Sequence, residues 1–240
     1  MLKPIYENGA KIYEFKIERP LSPEEKRGVV ILSRLQEKGF ESFFVGGGVR
    51  DELMGNSAHD IDIATAAKPE EIEELFSNCY DRGKQFGVMA VQSGEYEFEV
   101  ATFRSDIGTF DHRRPEKVEF TSAKEDAQRR DFTINGLFYN PQKSQIVDFV
   151  GGIEDLQEKK VRFIGEPKAR IDEDYLRMLR GVRFACRFDF ALEENSYKAI
   201  SENKEKIKEV SAERIRDELT KMLIDKNRSE ALEKLSEIGL

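Results

Sequence analysis

Apolar and polar positions recur with two different periods along the chain, and the change of period divides it. Residues 23–38 repeat apolar positions at helical spacing behind Ser22-Pro23, a serine N-cap with proline in the first turn, which predicts a helix. Phe43-Phe44-Val45 is a short apolar strand run that ends in the turn Gly46-Gly47-Gly48, with a short helix after it. Asp60-Ile61-Asp62-Ile63 alternates polar and apolar as a half-buried strand does. Residues 65–76 read as a helix with Pro69 near its start, and residues 88–92 and 96–103 as a hairpin turning at Ser93-Gly94. Residues 105–120 contain Gly108, Asp111, His112, Arg113, Arg114 and Pro115, which suit a loop better than a helix or a central strand. Arg129-Arg130-Asp131 is expected to open a helix that packs Phe132, Ile134 and Leu137 inward.

From residue 173 onward the pattern is helical, with breaks near Asp189, near Asn195 and before Ser211. Over residues 173–187, at about 100° per residue, Arg177, Arg180, Arg183 and Arg187 fall within an arc of about 120°. Tyr175, Met178, Leu179, Val182 and Ala185 cover the other side, so the segment reads as an amphipathic helix with an arginine face. The shift from mixed to helical lies between residues 140 and 165, and the chain is expected to be α+β in class. Residues 1–20 read as a strand-forming extension or a mobile arm.

The acid strand carries candidate chemistry. Alternate strand residues share a face, so Asp60 and Asp62 project together with Cα atoms roughly 6.5 Å apart, while Ile61 and Ile63 anchor the other face. Two aligned carboxylates suit Mg²⁺, a hard ion that keeps positions open for water and phosphate. Gly46, Gly47 and Gly48 lack Cβ atoms and let a phosphate approach the backbone amides. Taken alone, a triple glycine is as often a tight turn and an Asp-x-Asp as often two solvated acids; their joint arrangement is what points to nucleotide chemistry. Glu97 and Glu99 alternate with Phe98 and Val100 and give the hairpin an acidic face, with Glu99 the candidate third carboxylate and a solvent-facing glutamate the plain alternative. An arginine face is ordinarily a solvated one, but four like charges at close spacing repel, and the planar guanidinium suits phosphates and base edges.

Composition narrows the partners. With 240 residues, 39% of them hydrophobic, the chain can bury a core as one large or two small domains. A net charge of −8 excludes a uniformly basic nucleic-acid binder, so any RNA contact must use a local basic patch. No apolar run approaches the roughly 20 residues that span a membrane, and a cytoplasmic protein is expected. Cys79 and Cys186 fit no metal pattern and read as reduced packing residues; with no Cys/His cluster a zinc site is not expected, and His59 and His112 read as strand-orienting and loop residues.

The ordered set Gly46-Gly-Gly-Val-Arg-Asp51, Asp60-Ile-Asp62, Gly83-Lys-Gln-Phe-Gly-Val88, Glu99-Val-Ala-Thr-Phe-Arg104, Arg129-Arg-Asp-Phe-Thr-Ile-Asn135 and Glu173-Asp-Tyr-Leu-Arg177 resembles the nucleotidyltransferases of the DNA polymerase β superfamily. In detail it is similar to the class II tRNA nucleotidyltransferases, or CCA-adding enzymes, and to bacterial poly(A) polymerases. The resemblance implies an N-terminal extension over 1–20, a nucleotidyltransferase head with a small mixed sheet over 21–150, and an all-helical neck over 151–240. It implies an Mg²⁺-dependent enzyme that adds AMP, and CMP, from ATP and CTP to the 3′ end of tRNA. Asp60 and Asp62 would hold the metal, Glu99 assist the attacking hydroxyl, and Gly47 and Arg50 cradle the triphosphate. Arg130 would contact the nucleotide, with an ion pair to Asp131 or another acid as the plain reading. Asp174 and Arg177 would read the base, since carboxylate and guanidinium together match the exocyclic amine and ring acceptor of adenine and cytosine, and Arg180 and Arg183 match further nucleotide-contacting positions. The loop at 105–120 resembles that of enzymes able to add the terminal adenosine. Poly(A) polymerase is the near alternative, favoured by the third glycine but not by Gly83-Lys-Gln-Phe-Gly-Val88; a non-catalytic nucleotide- or RNA-binding module is the other. The family's body and tail domains, which grip tRNA, have no counterpart in these residues, so weak tRNA affinity is expected.

Overall fold

The computed structural model of the chain describes residues 3–56, 61–108, 112 and 115–240. The chain folds into two units. A sheet unit takes in residues 1–107, 117–130 and 135–151, and a helical unit residues 108–116, 131–134 and 152–240.

In the sheet unit the strands are β1 (Ile5–Glu7), β2 (Ala10–Glu14), β3 (Ser42–Val45), β4 (Asp62–Thr65), β5 (Cys79–Gly83), β6 (Val88–Ser93), β7 (Tyr96–Thr102), β8 (Arg104–Ile107), β9 (Lys117–Phe120), β10 (Leu137–Asn140) and β11 (Gln145–Asp148). Nine of them form one mixed sheet in the order β1-β2-β11-β10-β3-β4-β7-β6-β5, and β8 and β9 form a separate ribbon. Within this sheet, among the described residues, only the β4–β7 pairing is parallel. The helices are α1 (Pro23–Glu37), α2 (Gly47–Leu53), α3 (Pro69–Leu75) and α4 (Ala123–Gln128). Helix α1 starts as its sequence dictates: the Ser22 side chain accepts from the Glu25 amide, Glu25 reaches back to the Ser22 amide, and Pro23 opens the first turn. Gly28 lets α1 lie close on the sheet, where a Cβ would come within 3.2 Å of Ile61 and Phe98.

Period-two alternation gives the sheet two packed faces. Ile63, Met89, Val91, Phe98 and Val100 pack on one side with Ile31 and Leu35 of α1 and Ile72 of α3. Phe43, Val45, Ala64, Phe103 and Phe138 pack on the other with Ala123 and Ala127 of α4. Each such large apolar side chain contributes roughly 1.5–3 kcal/mol of burial, so the central strands are the most firmly held part of the unit.

The helical unit contains α5 (Gly152–Gln157), β12 (Lys160–Val161), α6 (Pro167–Glu173), α7 (Arg177–Phe188), β13 (Ala191–Leu192), α8 (Glu194–Asn203), α9 (Ala212–Leu223) and α10 (Arg228–Ile238). Its core centres on Met178, Leu179 and Val182 of α7 with Phe132, Phe163 and Ile200. Phe132 stacks on Phe163 with centroids 4.7 Å apart.

Four expected elements differ from the observed ones, three of them because local turn chemistry outweighs an apolar spacing. Residues 129–131 do not open a helix; Ser122 and Glu125 form a capping box that starts α4 earlier, and Arg129 is its C-cap. Phe132 then makes an isolated bridge to Phe163, and Leu137 begins a strand. Residues 65–68 are not helical: Thr65 ends β4, its hydroxyl 2.8 Å from Ser42 Oγ, and the helix waits for Pro69. Residues 173–187 are two helices, because Asp174 is extended at φ −153° and its carboxylate accepts from the Leu176 amide. Residues 105–120 are not all loop, since both flanks pair as the β8–β9 ribbon; residues 109–111, 113 and 114 lie outside the described residues. Of the two readings of residues 1–20, the strand-forming one holds for Ile5–Glu7 and Ala10–Glu14, which add β1 and β2 to the main sheet. Both cysteines are free, Cys186 buried and Cys79 half-buried.

Candidate active site

The parallel register of β4 and β7 sets Asp62 opposite Glu99 and Ile63 opposite Val100. Opposed residues point to one face about 4.8 Å apart across the strands, so Asp62 and Glu99 are neighbouring carboxylates. Ile63 and Val100, fully buried on the other face, fix this register, because a one-residue slip would drive both acids into the core. Asp62 is half-buried and Glu99 exposed. Glu97 is occupied elsewhere, accepting from the Tyr80 hydroxyl and pairing with Arg82 at 2.7 Å. Asp60 and His59 lie outside the described residues.

Gly46 joins β3 to α2 at φ 76°, ψ −147°, a conformation glycine adopts readily and other residues do not. A Cβ there would stand 3.3 Å from Asp62 Oδ2 and 3.8 Å from Arg130 Nη1. An acid and a guanidinium therefore border one small space above the turn. Gly47 and Gly48 are the first residues of α2, and Arg50 lies in its second turn, only 3% exposed. Its Nε and Nη2 donate to Asp51 Oδ1 at 2.8 and 2.7 Å, and Nη1 donates to Asn135 Oδ1 at 2.5 Å. Its Nη2 also lies 3.3 Å from where a Gly47 Cβ would stand, so Arg50 braces the turn from beneath.

Arg130 donates to Asp126 Oδ2 through Nε at 3.3 Å and Nη2 at 3.0 Å, with its guanidinium over the Phe138 ring at 5.2 Å. Asp126 is 1% exposed. Burial alone would raise its carboxyl pKa, but the positive charges of Arg129 and Arg130 hold it below the usual aspartate value.

In the helical unit, Asp174 sits in the break between α6 and α7 and pairs with Arg214 of α9 at 2.8 Å. Three arginines of α7 are answered by acids. Arg177 donates to Glu173 at 2.5 Å and to the Arg170 carbonyl at 2.9 Å, Arg180 donates to Asp131 at 2.6 Å, and Arg183 donates to Glu218 at 2.6 Å. Arg183 and Glu218 are both buried. Burial pushes the Glu218 pKa up, yet Arg183 and Arg180 together hold it below the usual glutamate value. The expected mutual repulsion of the arginine face is thus cancelled by interleaved acids.

The structure brings Asp62, Glu99, Gly47, Arg50 and Arg130 into one region of the sheet unit and Asp174, Arg177, Arg180 and Arg183 into one region of the helical unit. Sequence reasoning missed the groups that hold these arginines. Asp126 had a usable signal, three and four residues before Arg129 and Arg130 on one helix. Asn135 and Glu218 had none, because they reach Arg50 and Arg183 only through the fold. A cavity of about 180 Å³ also borders Asp62 and Gly48, but its walls include Val29, Phe44, Val49 and Ile61 and neither Glu99 nor Arg130. Its apolar walls do not suit a triphosphate.

A mixed sheet that sets paired carboxylates beside a glycine turn, with a helical region after it, is the arrangement expected of a polymerase β-like head with a helical extension. Residues 42–162 match the poly A polymerase head domain, and the chain belongs to that family. Residues 189–240 match the probable RNA and SrmB-binding site of polymerase A. The chain is 44% identical to the CCA-adding enzyme of Lactobacillus helveticus over 86% of its length and 52% of the relative's. Against the Bacillus stearothermophilus CCA-adding enzyme solved with CTP the TM-score is 0.83, at 35% identity over 92% of this chain and 53% of that one. Against the Thermotoga maritima CCA-adding enzyme complexed with tRNA it is 0.76, at 26% identity over 91% of this chain and 52% of that one. The chain thus spans about half the length of the relatives it matches. Among the described residues, no helix is long and apolar enough to cross a membrane.

Proposed function

We propose that this chain is a template-independent RNA nucleotidyltransferase that adds AMP and CMP from ATP and CTP to the 3′ end of tRNA, in CCA addition or repair. The observation that carries the reading is the register of Asp62 with Glu99 beside the Gly46 turn, with Arg130 on the same space. The relatives solved with CTP, with ATP and with tRNA support the substrate class. A protein working on tRNA and free nucleotides belongs in the cytoplasm.

In the reaction the RNA 3′ hydroxyl oxygen bonds to the α-phosphorus, the bond from that phosphorus to the bridging oxygen breaks, and pyrophosphate leaves. Glu99 would take the hydroxyl proton, a role supported by its exposure opposite Asp62. Asp60 and Asp62 would hold Mg²⁺, and their hard oxygen donors fit that ion; when bound it supplies positive charge to the triphosphate. Gly46 keeps the space over the turn clear, Arg50 braces it, and Arg130 meets negative charge there. Asp174 and Arg177 supply the acceptor and donor that select adenine and cytosine over uracil and guanine, with Arg180 and Arg183 supporting them.

The test is to sequence the 3′ ends made on tRNAs that stop before, within and after CC, with ATP and CTP supplied together. Completion to CCA and then arrest is the expected product. Untemplated adenosine tracts would make the chain a poly(A) polymerase, and no incorporation on any substrate would reject the reading.

A further inference from the structure

Arg130 is held by two of its three guanidinium nitrogens. Its Nε and Nη2 donate to Asp126 Oδ2, while Nη1 is the nitrogen that borders the space over Gly46, across from Asp62 Oδ2. The Phe138 ring lies against the guanidinium and restricts its tilt. The fork is therefore fixed on one side and directed on the other.

Asp126 does more than this one pairing. Its Oδ1 accepts from Arg129 Nε at 2.9 Å and from the Arg104 backbone amide at 3.2 Å. Asp106 lies 3.2 Å from Arg104 Nε and 3.6 Å from Arg129 Nη1. Arg104, Arg129 and Arg130 thus share Asp106 and Asp126, with Asp62 across the space from Arg130. A buried carboxylate is costly unless its lone pairs are used; here Oδ1 serves Arg129 and the Arg104 amide, and Oδ2 fixes the direction of Arg130. A mobile arginine would lose side-chain entropy on meeting a phosphate; a prefixed one has lost it already.

We propose that Asp126 is a positioning residue, acting through Arg130, which it holds ready to meet the phosphates of the incoming nucleotide beside the Gly46 turn. This rests on the nucleotidyltransferase reading. Asp126 does not touch substrate, and its effect is expected in nucleotide affinity rather than in the transfer step.

The experiment compares wild type, Asp126→Asn, Arg130→Ala and the double variant, measuring ATP affinity by calorimetry without RNA and kcat and KM for AMP incorporation. Asp126→Asn is expected to weaken ATP binding and raise its KM about tenfold, in line with the loss of a charge-assisted contact, and to change kcat less than threefold. In the Arg130→Ala background it is expected to do nothing further. Equal effects in both backgrounds, or a lower melting temperature with unchanged ATP affinity, would overturn the proposal as a purely structural role. If Asp126→Asn does not fold, Asp126→Glu, whose charge sits one methylene further out, is expected to show the same affinity split and the same dependence on Arg130. A wild-type chain that binds ATP without transferring it rejects the nucleotidyltransferase reading, and the Asp126 contrast is then still decided by ATP affinity.

Discussion

Gly46 concentrates the demands of the site in one residue. Its positive φ strains any side chain, and with Asp62 Oδ2 only 3.3 Å from the place of a Cβ, that carboxylate would have to give by a few tenths of an ångström. Gly46→Ala is expected to cost roughly 1–2 kcal/mol of stability through backbone strain and to lower nucleotide incorporation at least about tenfold. Urea unfolding and steady-state incorporation check both; an alanine variant with unchanged incorporation would show that the turn does not border the reacting groups. At this scale much was legible from sequence. The strand faces of Asp62 and Glu99 were legible because period-two alternation puts polar residues on one face, and the burial of Ile63 and Val100 bears out that alternation. Arg50 was not legible as a brace, because its partner Asn135 is 85 positions away along the chain.

Among elements, α7 and α9 are joined by the buried Arg183–Glu218 pair, which Arg180 at 3.7 Å and Lys221 at 3.1 Å also flank. Removing one member of a buried pair strands the other's charge. Arg183→Ala is therefore expected to destabilise the chain by about 3 kcal/mol, at the low end for such pairs because two other cations remain. The urea midpoint measures this; an unchanged midpoint with lost ATP affinity would instead give Arg183 a direct role in binding nucleotide. The helical wheel located the arginines of α7 but not their acids, and it carried the helix through Asp174, where side-chain capping of Leu176 breaks it. Wheel arithmetic assumes a continuous helix, and an aspartate that can bond a nearby amide is where that assumption fails.

The whole molecule carries several carboxylates held below their ordinary pKa by neighbouring cations and amides, among them Asp126 and Glu218, each buried against arginines. A carboxyl with a depressed folded-state pKa stabilises the fold above its unfolded pKa, near 4, and that contribution is lost as pH falls through the folded value. Stability is thus expected to hold from neutral pH to about pH 5 and to fall below about pH 4. Glu218→Gln, less stable at pH 7, is expected to lose less between pH 7 and pH 3 than wild type; equal losses would mean that Glu218 keeps an ordinary pKa in the fold. The α+β class was legible from the change of period. The interleaving of the two units was not, because residues 108–116 and 131–134 belong to the helical unit while the chain on either side belongs to the sheet unit.

The central claim is that Asp62, set beside Glu99 and the Gly46 turn, serves nucleotidyl transfer. The most direct measurement is Mg²⁺-dependent incorporation of radiolabelled AMP into tRNA 3′ ends by wild type and by Asp62→Ala, with circular dichroism to verify the fold of both. Incorporation that requires Mg²⁺ in wild type and vanishes in a folded Asp62→Ala is the expected result. Near-normal Mg²⁺-dependent incorporation by Asp62→Ala would contradict it.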